Sequence, residues 1–267
     1  MKTIIYYFTG TGNSLRVAKS LAQDFESCSI VPIAEALTEK QSDIECEAVG
    51  FIFPVYFYGL PEIVVRFIKQ LEFKNNPYCF AVAVSGHEAV GGAIPQMQKL
   101  LTSKEQRLMA GFYVNMVFNF ILWPVWDVPK ESKHKHIYDK AEAKIRKIAK
   151  IVGIRQNKIE RGAYDIPGTY IISSSINKYW DTYMRKKDSK FNVKDSCNSC
   201  GICERICPVN NICIEEGRPR WMNNNCQQCI ACLHCCPTKA IQYGSITVNK
   251  RRFFNPDIAL EEIMYKK

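Results

Sequence analysis

Over the first 155 residues, short continuous apolar runs alternate with stretches whose apolar positions recur every three or four residues. The runs at 2–8, 30–33, 49–53, 80–84 and 111–117 have the length and composition of buried strands. Between them the period changes to that of a helix: 14–25, a helix opening at Pro61, 94–101 and 137–152. In the second of these, Ile63, Val64, Phe67, Ile68 and Leu71 form one apolar stripe. In the last, Ile137, Ala141, Ile145, Ile148 and Val152 share a face, and Lys140, Lys144, Lys147 and Lys150 point away as a solvated surface. Strand–helix alternation predicts an α/β fold, a doubly wound, five-stranded parallel sheet with helices on both faces. Ligands of such sheets sit at the carboxyl ends of the strands.

The rhythm breaks at 156–190, where Gly162, Pro167, Gly168, a run of serines and a basic stretch suggest a connector with some helix around 177–185. A cysteine-rich module follows over 194–249, and 250–267 is expected to be a helical tail. The module contains an internal repeat. Cys197, Cys200, Cys203 and Cys207-Pro208 read C-x₂-C-x₂-C-x₃-C-P, and Cys226, Cys229, Cys232 and Cys236-Pro237 read the same 29 residues later. Asn211-Ile212 and Ala240-Ile241 occupy equivalent places after each proline. Three cysteines two residues apart can wrap an iron–sulfur cluster in a tight loop. Zinc also uses paired C-x₂-C, but needs neither the third cysteine nor the fourth before proline.

The segment 194–249 resembles bacterial-type two-cluster ferredoxins. The resemblance implies two [4Fe–4S] clusters whose fourth ligands cross between the repeats. One set would be Cys197, Cys200, Cys203 and Cys236, the other Cys226, Cys229, Cys232 and Cys207. Gly201 would let backbone N–H groups approach sulfur, and Ile230 at the matching place in the second repeat departs from that pattern. Cys28, Cys46, Cys79, Cys213 and Cys235 lie outside the motifs and are expected to be inert thiols.

Before the first helix stands Thr9-Gly10-Thr11-Gly12-Asn13-Ser14, a dense set of hydroxyls and backbone donors at a positive helix end. A dinucleotide fingerprint would need a third glycine where Leu15 sits, and a P-loop would need a lysine before Ser or Thr. A plain strand-to-helix turn is the bland alternative. The loop resembles the FMN-phosphate loop of flavodoxins, with Ser14 in place of the last threonine. That likeness implies that Thr9, Gly10, Thr11, Gly12, Asn13 and Ser14 hold a phosphate. Loops at the equivalent strand ends would face the isoalloxazine: Pro54, Tyr56, Phe57, Tyr58 and Gly59 with aromatic surface, and Ser85, Gly86, His87, Gly91 and Gly92 with polar donors. Tyr56 is the first choice for ring stacking. The apolar loop at 119–129, with Trp123 and Trp126, would cover the flavin or pack on the cysteine module.

Taken over nearly its whole length, the chain resembles the flavodoxin–ferredoxin fusion proteins of anaerobic bacteria. The resemblance implies an FMN domain over 1–155, a connector over 156–193, and electron transfer between FMN and the clusters for redox partner proteins. Two alternatives stay open: a flavin-dependent reductase of a small organic acceptor, and a non-catalytic redox sensor or partner subunit.

Composition changes this picture little. Thirteen cysteines without an export signal argue against a disulfide framework, because the cytosol keeps thiols reduced. No apolar run approaches the ~20 residues that span a bilayer, so a cytoplasmic location is expected. The formal charge of +10 would suit nucleic acid. Two clusters at about −2 each and a flavin phosphate at about −2 would bring it to roughly +4. No nucleic-acid-binding motif is present. No Ser/His/Asp set or carboxylate pair stands out for hydrolysis.

Overall fold

The computed structural model describes residues 2–39, 43–87, 91–162, 175–180, 182–183, 188–222 and 225–265. In chain order the first part runs β1 (Lys2–Tyr7), α1 (Asn13–Ala22), β2 (Ser27–Pro32), α2 (Ile33–Thr38), β3 (Asp43–Ile44), β4 (Ala48–Pro54), α3 (Glu62–Gln70), β5 (Glu72–Phe73), β6 (Tyr78–Ser85), α4 (Ala93–Thr102), β7 (Leu108–Asn115), α5 (His134–Gly153) and β8 (Lys158–Ile159). Six of the strands pair in parallel in the order β2-β1-β4-β6-β7-β8. The five expected strands are all present. The sixth, β8, is a two-residue edge strand in the stretch expected to be connector, too short and too exposed to show a periodicity.

Every residue of β6 and nearly every residue of β4 is buried, as strands covered on both faces must be. Helices α1 and α5 cover one face, where Leu15, Leu21, Ile145 and Ile148 pack on Ile5, Ile52, Val82 and Phe112. Helices α2, α3 and α4 cover the other, where Ile33, Phe67, Ile68 and Met97 meet Tyr6, Phe51, Phe53 and Ala81. Gly50 is required inside β4, because any Cβ there would run into the ring of its register partner Phe80. The sheet reverses direction between β1 and β4, so the loops after these strands open into one crevice at the sheet's carboxyl edge.

The chain continues through a helical stretch over 175–180, α6, into β9 (Phe191–Val193), α7 (Ile202–Arg205), β10 (Ile212–Glu215), β11 (Arg218–Trp221), α8 (Ala231–His234) and β12 (Ile241–Tyr243). Residues 181, 184 and 185 of the expected 177–185 helix, like 163–174, 186 and 187 of the connector, lie outside the described residues. Two antiparallel pairs, β10–β11 and β9–β12, frame the cysteine module. Because β9 pairs with β12, the module begins by Phe191, ahead of the expected boundary at 194.

The internal repeat is visible in the backbone. Ser199 and Gln228, Gly201 and Ile230, and Asn210 and Lys239 are three equivalent pairs, all with left-handed φ. Correcting the expected helical tail, 250–265 contains no α-helix and only a 3₁₀ turn at Leu260–Ile263. It runs back across α1, where Ile258 and Ile263 join the first core and Asp257 and Glu262 pair with Arg16 (3.0 Å) and Lys19 (2.5 Å). Contacts with α1 have replaced a helix's own hydrogen bonds. Among the described residues no helix is long and apolar enough to cross a membrane.

Candidate functional site

A cavity of about 350 Å³ opens at the carboxyl edge of the sheet. Thr9, Gly10, Thr11, Asn13 and Ser14 form its floor, Pro54, Tyr56, Phe57 and Tyr58 one wall, and Ser85, Gly86 and His87 another. These residues come from three separate loops.

Four expected members take other roles. Gly12 turns the chain at φ +91 and its N–H donates to Thr9 Oγ1 (3.1 Å), while its Cα faces Asn255 and Ile258. Gly59 closes the turn that carries Phe57 and Tyr58, bonded to Tyr56 in both directions at 3.0 and 2.9 Å. Gly91 accepts from the Tyr113 hydroxyl (3.2 Å), and Gly92 caps α4. A glycine's place in a loop does not reveal which way the loop faces, and here none of these four lines the cavity.

No side chain caps α1, so the donors at its start remain directed at the cavity floor. The loop itself is held from outside. Asn13 Nδ2 donates to the Val117 carbonyl (3.0 Å), and Asn13 Oδ1 accepts from Asn255 Nδ2 (3.0 Å). Asn119 Nδ2 donates to Thr11 Oγ1 (2.5 Å), and the Asn255 N–H donates to the Thr11 carbonyl (2.9 Å). Asn13 therefore offers the cavity its backbone, its amide being committed to these partners.

Phe57 and Tyr58 both have left-handed φ, 45° and 67°, at the centre of the Tyr56–Gly59 turn. Bulky residues are strained in that conformation, and the turn holds two aromatic rings at the cavity's mouth. Phe57 stacks on Trp180 with centroids 5.3 Å apart.

The loop after β7 supplies what sequence reasoning placed only in outline. Val117, Phe118, Asn119, Phe120 and Trp126 line the cavity, and Val117, Ile121, Leu122 and Val128 also enter the core of the cysteine module. The loop thus packs on the cysteine module and also lines the cavity. Lys250 Nζ gathers the carbonyls of Trp123, Pro124 and Trp126 (3.4, 2.5 and 2.7 Å), and Arg251 pairs with Asp127 (3.1 Å).

The last wall was not foreseen. Gln228, Cys229 and Ile230, from the second cysteine motif, line the same cavity. The Cys229 carbonyl lies so close to Gly10 that a Cβ there would strike it. Only the identity of Ile230, where the first repeat has glycine, marked this place in the sequence.

The cysteines fall into two groups. Cys197, Cys200, Cys203 and Cys236 line one small cavity, and Cys207, Cys226, Cys229 and Cys232 line another. These are the two crossed sets. The fourth cysteine of each repeat accepts a backbone N–H in the same way: Asn211 N to Cys207 Sγ and Ala240 N to Cys236 Sγ, both 3.2 Å. Burial first, and then the neighbouring cysteines, push the Cys203 thiol up to about 12 and Cys226 and Cys232 up as well. Burial likewise raises Cys229 to about 12. Raised in this way the thiols keep their protons, and only a bound cation would favour their thiolates. Among the described residues no group of three or more His, Cys, Asp or Glu side chains is placed to hold a single metal ion.

Of the remaining cysteines, Cys46, Cys79 and Cys235 are raised by burial to about 11, 12 and 12. All thirteen are free thiols.

His234 ties the two parts together. Its Nε2 donates to the Asn119 carbonyl (2.8 Å) and its Nδ1 accepts from the Phe253 N–H (3.1 Å). Burial pushes this imidazole down to about 4, which keeps it neutral and able to do both. Gln227 adds a second tie, accepting from the Ile63 N–H at the start of α3 (3.0 Å) and donating to Glu62 (3.1 Å).

No protein-family model and no curated protein matches the chain. Among solved structures it is similar to a flavodoxin from the domain Archaea, 14% identical, with 56% of this chain on 99% of that one and a TM-score of 0.33. It is also similar to a flavoprotein in complex with FMN from Lactobacillus acidophilus, 10% identical, 42% on 92%, TM-score 0.35. A third is an FMN-dependent NADH-azoreductase from Bacillus anthracis, 9% identical, 57% on 99%, TM-score 0.37. Scores this low leave the site's chemistry to its own geometry. The chain is an α/β protein with a large parallel sheet.

Proposed function

We propose that this chain is an electron-transfer flavoprotein. It holds FMN in the cavity at the sheet's carboxyl edge and one [4Fe–4S] cluster in each cysteine quartet. One observation carries the reading: the loop that supplies Cys226 and Cys229 to a quartet is also a wall of the flavin cavity. The clusters supply one-electron steps, and the flavin can take one electron or two.

The chain's own residues do the rest. The uncapped start of α1, with Thr9, Thr11 and Ser14, binds the phosphate. Tyr56, Phe57 and Tyr58 flank the ring. Phe118, Phe120 and Trp126 exclude water from it, and cysteine sulfurs arranged around a cavity suit a four-iron core better than one zinc ion. The docking by Gln227, His234 and Asn255 keeps the carriers in one fixed geometry, so transfer between them is internal to one molecule.

Anaerobically purified protein should contain iron and sulfide in equal amounts, near eight of each per chain for two such clusters, and one FMN. In anaerobic stopped-flow, cluster oxidation and flavin reduction should share one rate that does not change with protein concentration. Stoichiometric zinc without sulfide would refute the cluster assignment, and a rate that scales with concentration would refute the internal path.

The exposed aromatic rim, with Tyr58 and Trp126 about two-fifths accessible at the cavity's mouth, favours a second reading. A small planar acceptor could stack there and be reduced. Anaerobic turnover of an added quinone or nitroaromatic compound would support that activity, and its absence with several such acceptors would remove it.

A further inference from the structure

We infer that the two quartets have different places in the path. The Cys207, Cys226, Cys229 and Cys232 quartet is the inner relay, and the Cys197, Cys200, Cys203 and Cys236 quartet is the surface port that meets an external one-electron carrier protein. The inference rests on the function proposed above and assigns an order to it.

Three independent features separate the quartets. The first is access. Each quartet holds buried cysteines, Cys203 in one and Cys207 and Cys232 in the other, but only the first has an exposed one: Cys200 is exposed along with Asn198 and Ser199, whereas Cys229 is packed beneath the 9–14 loop. The second is adjacency. Cys229 lines both its own quartet's cavity and the flavin cavity, and among the described residues none that lines the Cys197 cavity also lines the flavin cavity.

The third feature lies in the repeat. Gly201 and Ile230 hold the same left-handed position before their short helices, at φ 72° and 52°. A Cβ on Gly201 would meet nothing within 4 Å, while Ile230 is only 4% accessible and lines both the inner quartet's cavity and the flavin cavity. A β-branched residue there is strained, and it persists only where surrounding packing fixes it. Its side chain fills the space between the two inner sites with apolar atoms and keeps water out. The outer repeat faces solvent and has no such space to fill.

The electron count follows the order. A reduced carrier protein docks at the port and is oxidised by one electron, which the outer quartet's cluster receives. The electron then moves to the inner quartet's cluster, returning the outer one to its oxidised state, and from there to the flavin. Two such passages, with two protons from water, reduce the flavin fully. Run in reverse, the same order delivers electrons outward.

The test uses the full chain with its clusters, purified anaerobically and prepared with and without FMN. The electron paramagnetic resonance of the reduced clusters is recorded after stepwise treatment with ferricyanide. The first half of the iron lost should belong to a cluster whose signal is the same with and without FMN. The surviving cluster should be the one whose signal FMN changes. Loss of the FMN-sensitive cluster first, or equal sensitivity of both, would overturn the order.

Cys200→Ser and Cys229→Ser assign the two signals to residues. Cys200→Ser should alter only the signal lost first, and Cys229→Ser only the FMN-sensitive one. The opposite pattern would overturn the inference even with the clusters intact. If either variant fails to fold, the unsubstituted protein still decides the order. Protein without sulfide, or unable to take up FMN, would overturn the underlying function instead, an outcome separable from a wrong order.

Discussion

Asn255 shows how much a single buried side chain outside any motif can decide. It is fully buried and reaches the phosphate loop from the far end of the chain, bonding Thr11 through its backbone and Asn13 through its amide. Asn255→Ala would leave Asn13 Oδ1 buried without a donor, a loss of about 1–3 kcal/mol. Chemical denaturation should show that loss and FMN titration a weaker affinity; an unchanged unfolding midpoint would mean the amide is dispensable. Gly12→Ala should act through the same contact. Its Cβ would come within 2.9 Å of Asn255 Cβ at a φ that costs an L-residue about 1–2 kcal/mol. FMN and riboflavin should then weaken together, because the strap is displaced and no phosphate donor is removed. In the unsubstituted protein FMN should bind at least about tenfold more tightly than riboflavin, since each charge-assisted hydrogen bond contributes about 1.5–3 kcal/mol. Equal affinities would disprove phosphate selection by this loop.

Among the elements, the Tyr56–Gly59 turn and the loop after β7 are held by different means. The turn stores strain at Phe57 and Tyr58. Tyr58→Gly should release about 1–2 kcal/mol of it, so thermal stability should hold or rise while FMN binding weakens. A fall in stability without any change in FMN affinity would show that Tyr58 serves packing alone. The loop after β7 lacks regular structure and depends on Lys250, whose ammonium collects three of its carbonyls. Lys250→Met keeps the apolar stem and removes the donors. FMN should then dissociate faster, by about tenfold for the loss of one such charge-assisted bond. Stopped-flow transfer of FMN to an apo-flavoprotein acceptor would measure this, and an unchanged rate would show the loop to be held by its apolar side alone.

At the scale of the whole molecule, the cavity at the sheet's carboxyl edge is a joint product of both parts of the chain. Gln228, Cys229 and Ile230 close one side, and Cys229 and Ile230 also line the cavity of the inner quartet. Removing iron with a chelator under anaerobic conditions should therefore weaken FMN binding by about tenfold or more, as a wall of the cavity loosens. Unchanged affinity would mean that residues 1–162 build the site unaided.

The sequence by itself determined the strand and helix order of the first part, because a parallel sheet buried on both faces needs continuous apolar runs and its helices need a stripe every three or four residues. The cysteine repeat was legible too, since both copies carry a fourth cysteine before proline at one spacing, and the grouping of Cys236 with the first three cysteines and Cys207 with the second three is what the resemblance implied. The strand-to-helix loop at 9–14, with its dense donors, was legible from local sequence alone. Only the tertiary structure decided that Gly12, Gly59, Gly91 and Gly92 do not line the cavity, because glycine leaves no side chain whose pattern reveals a direction. The packing of 250–265 against α1, His234 as the tie, and Asn255 as the clasp were likewise decided there. Each joins residues more than a hundred positions apart, and no periodicity carries a contact of that range. Ile230 stands between the two cases. Its departure from glycine is legible in the sequence, but its reason, a shared wall between two cavities, exists only once the chain has folded.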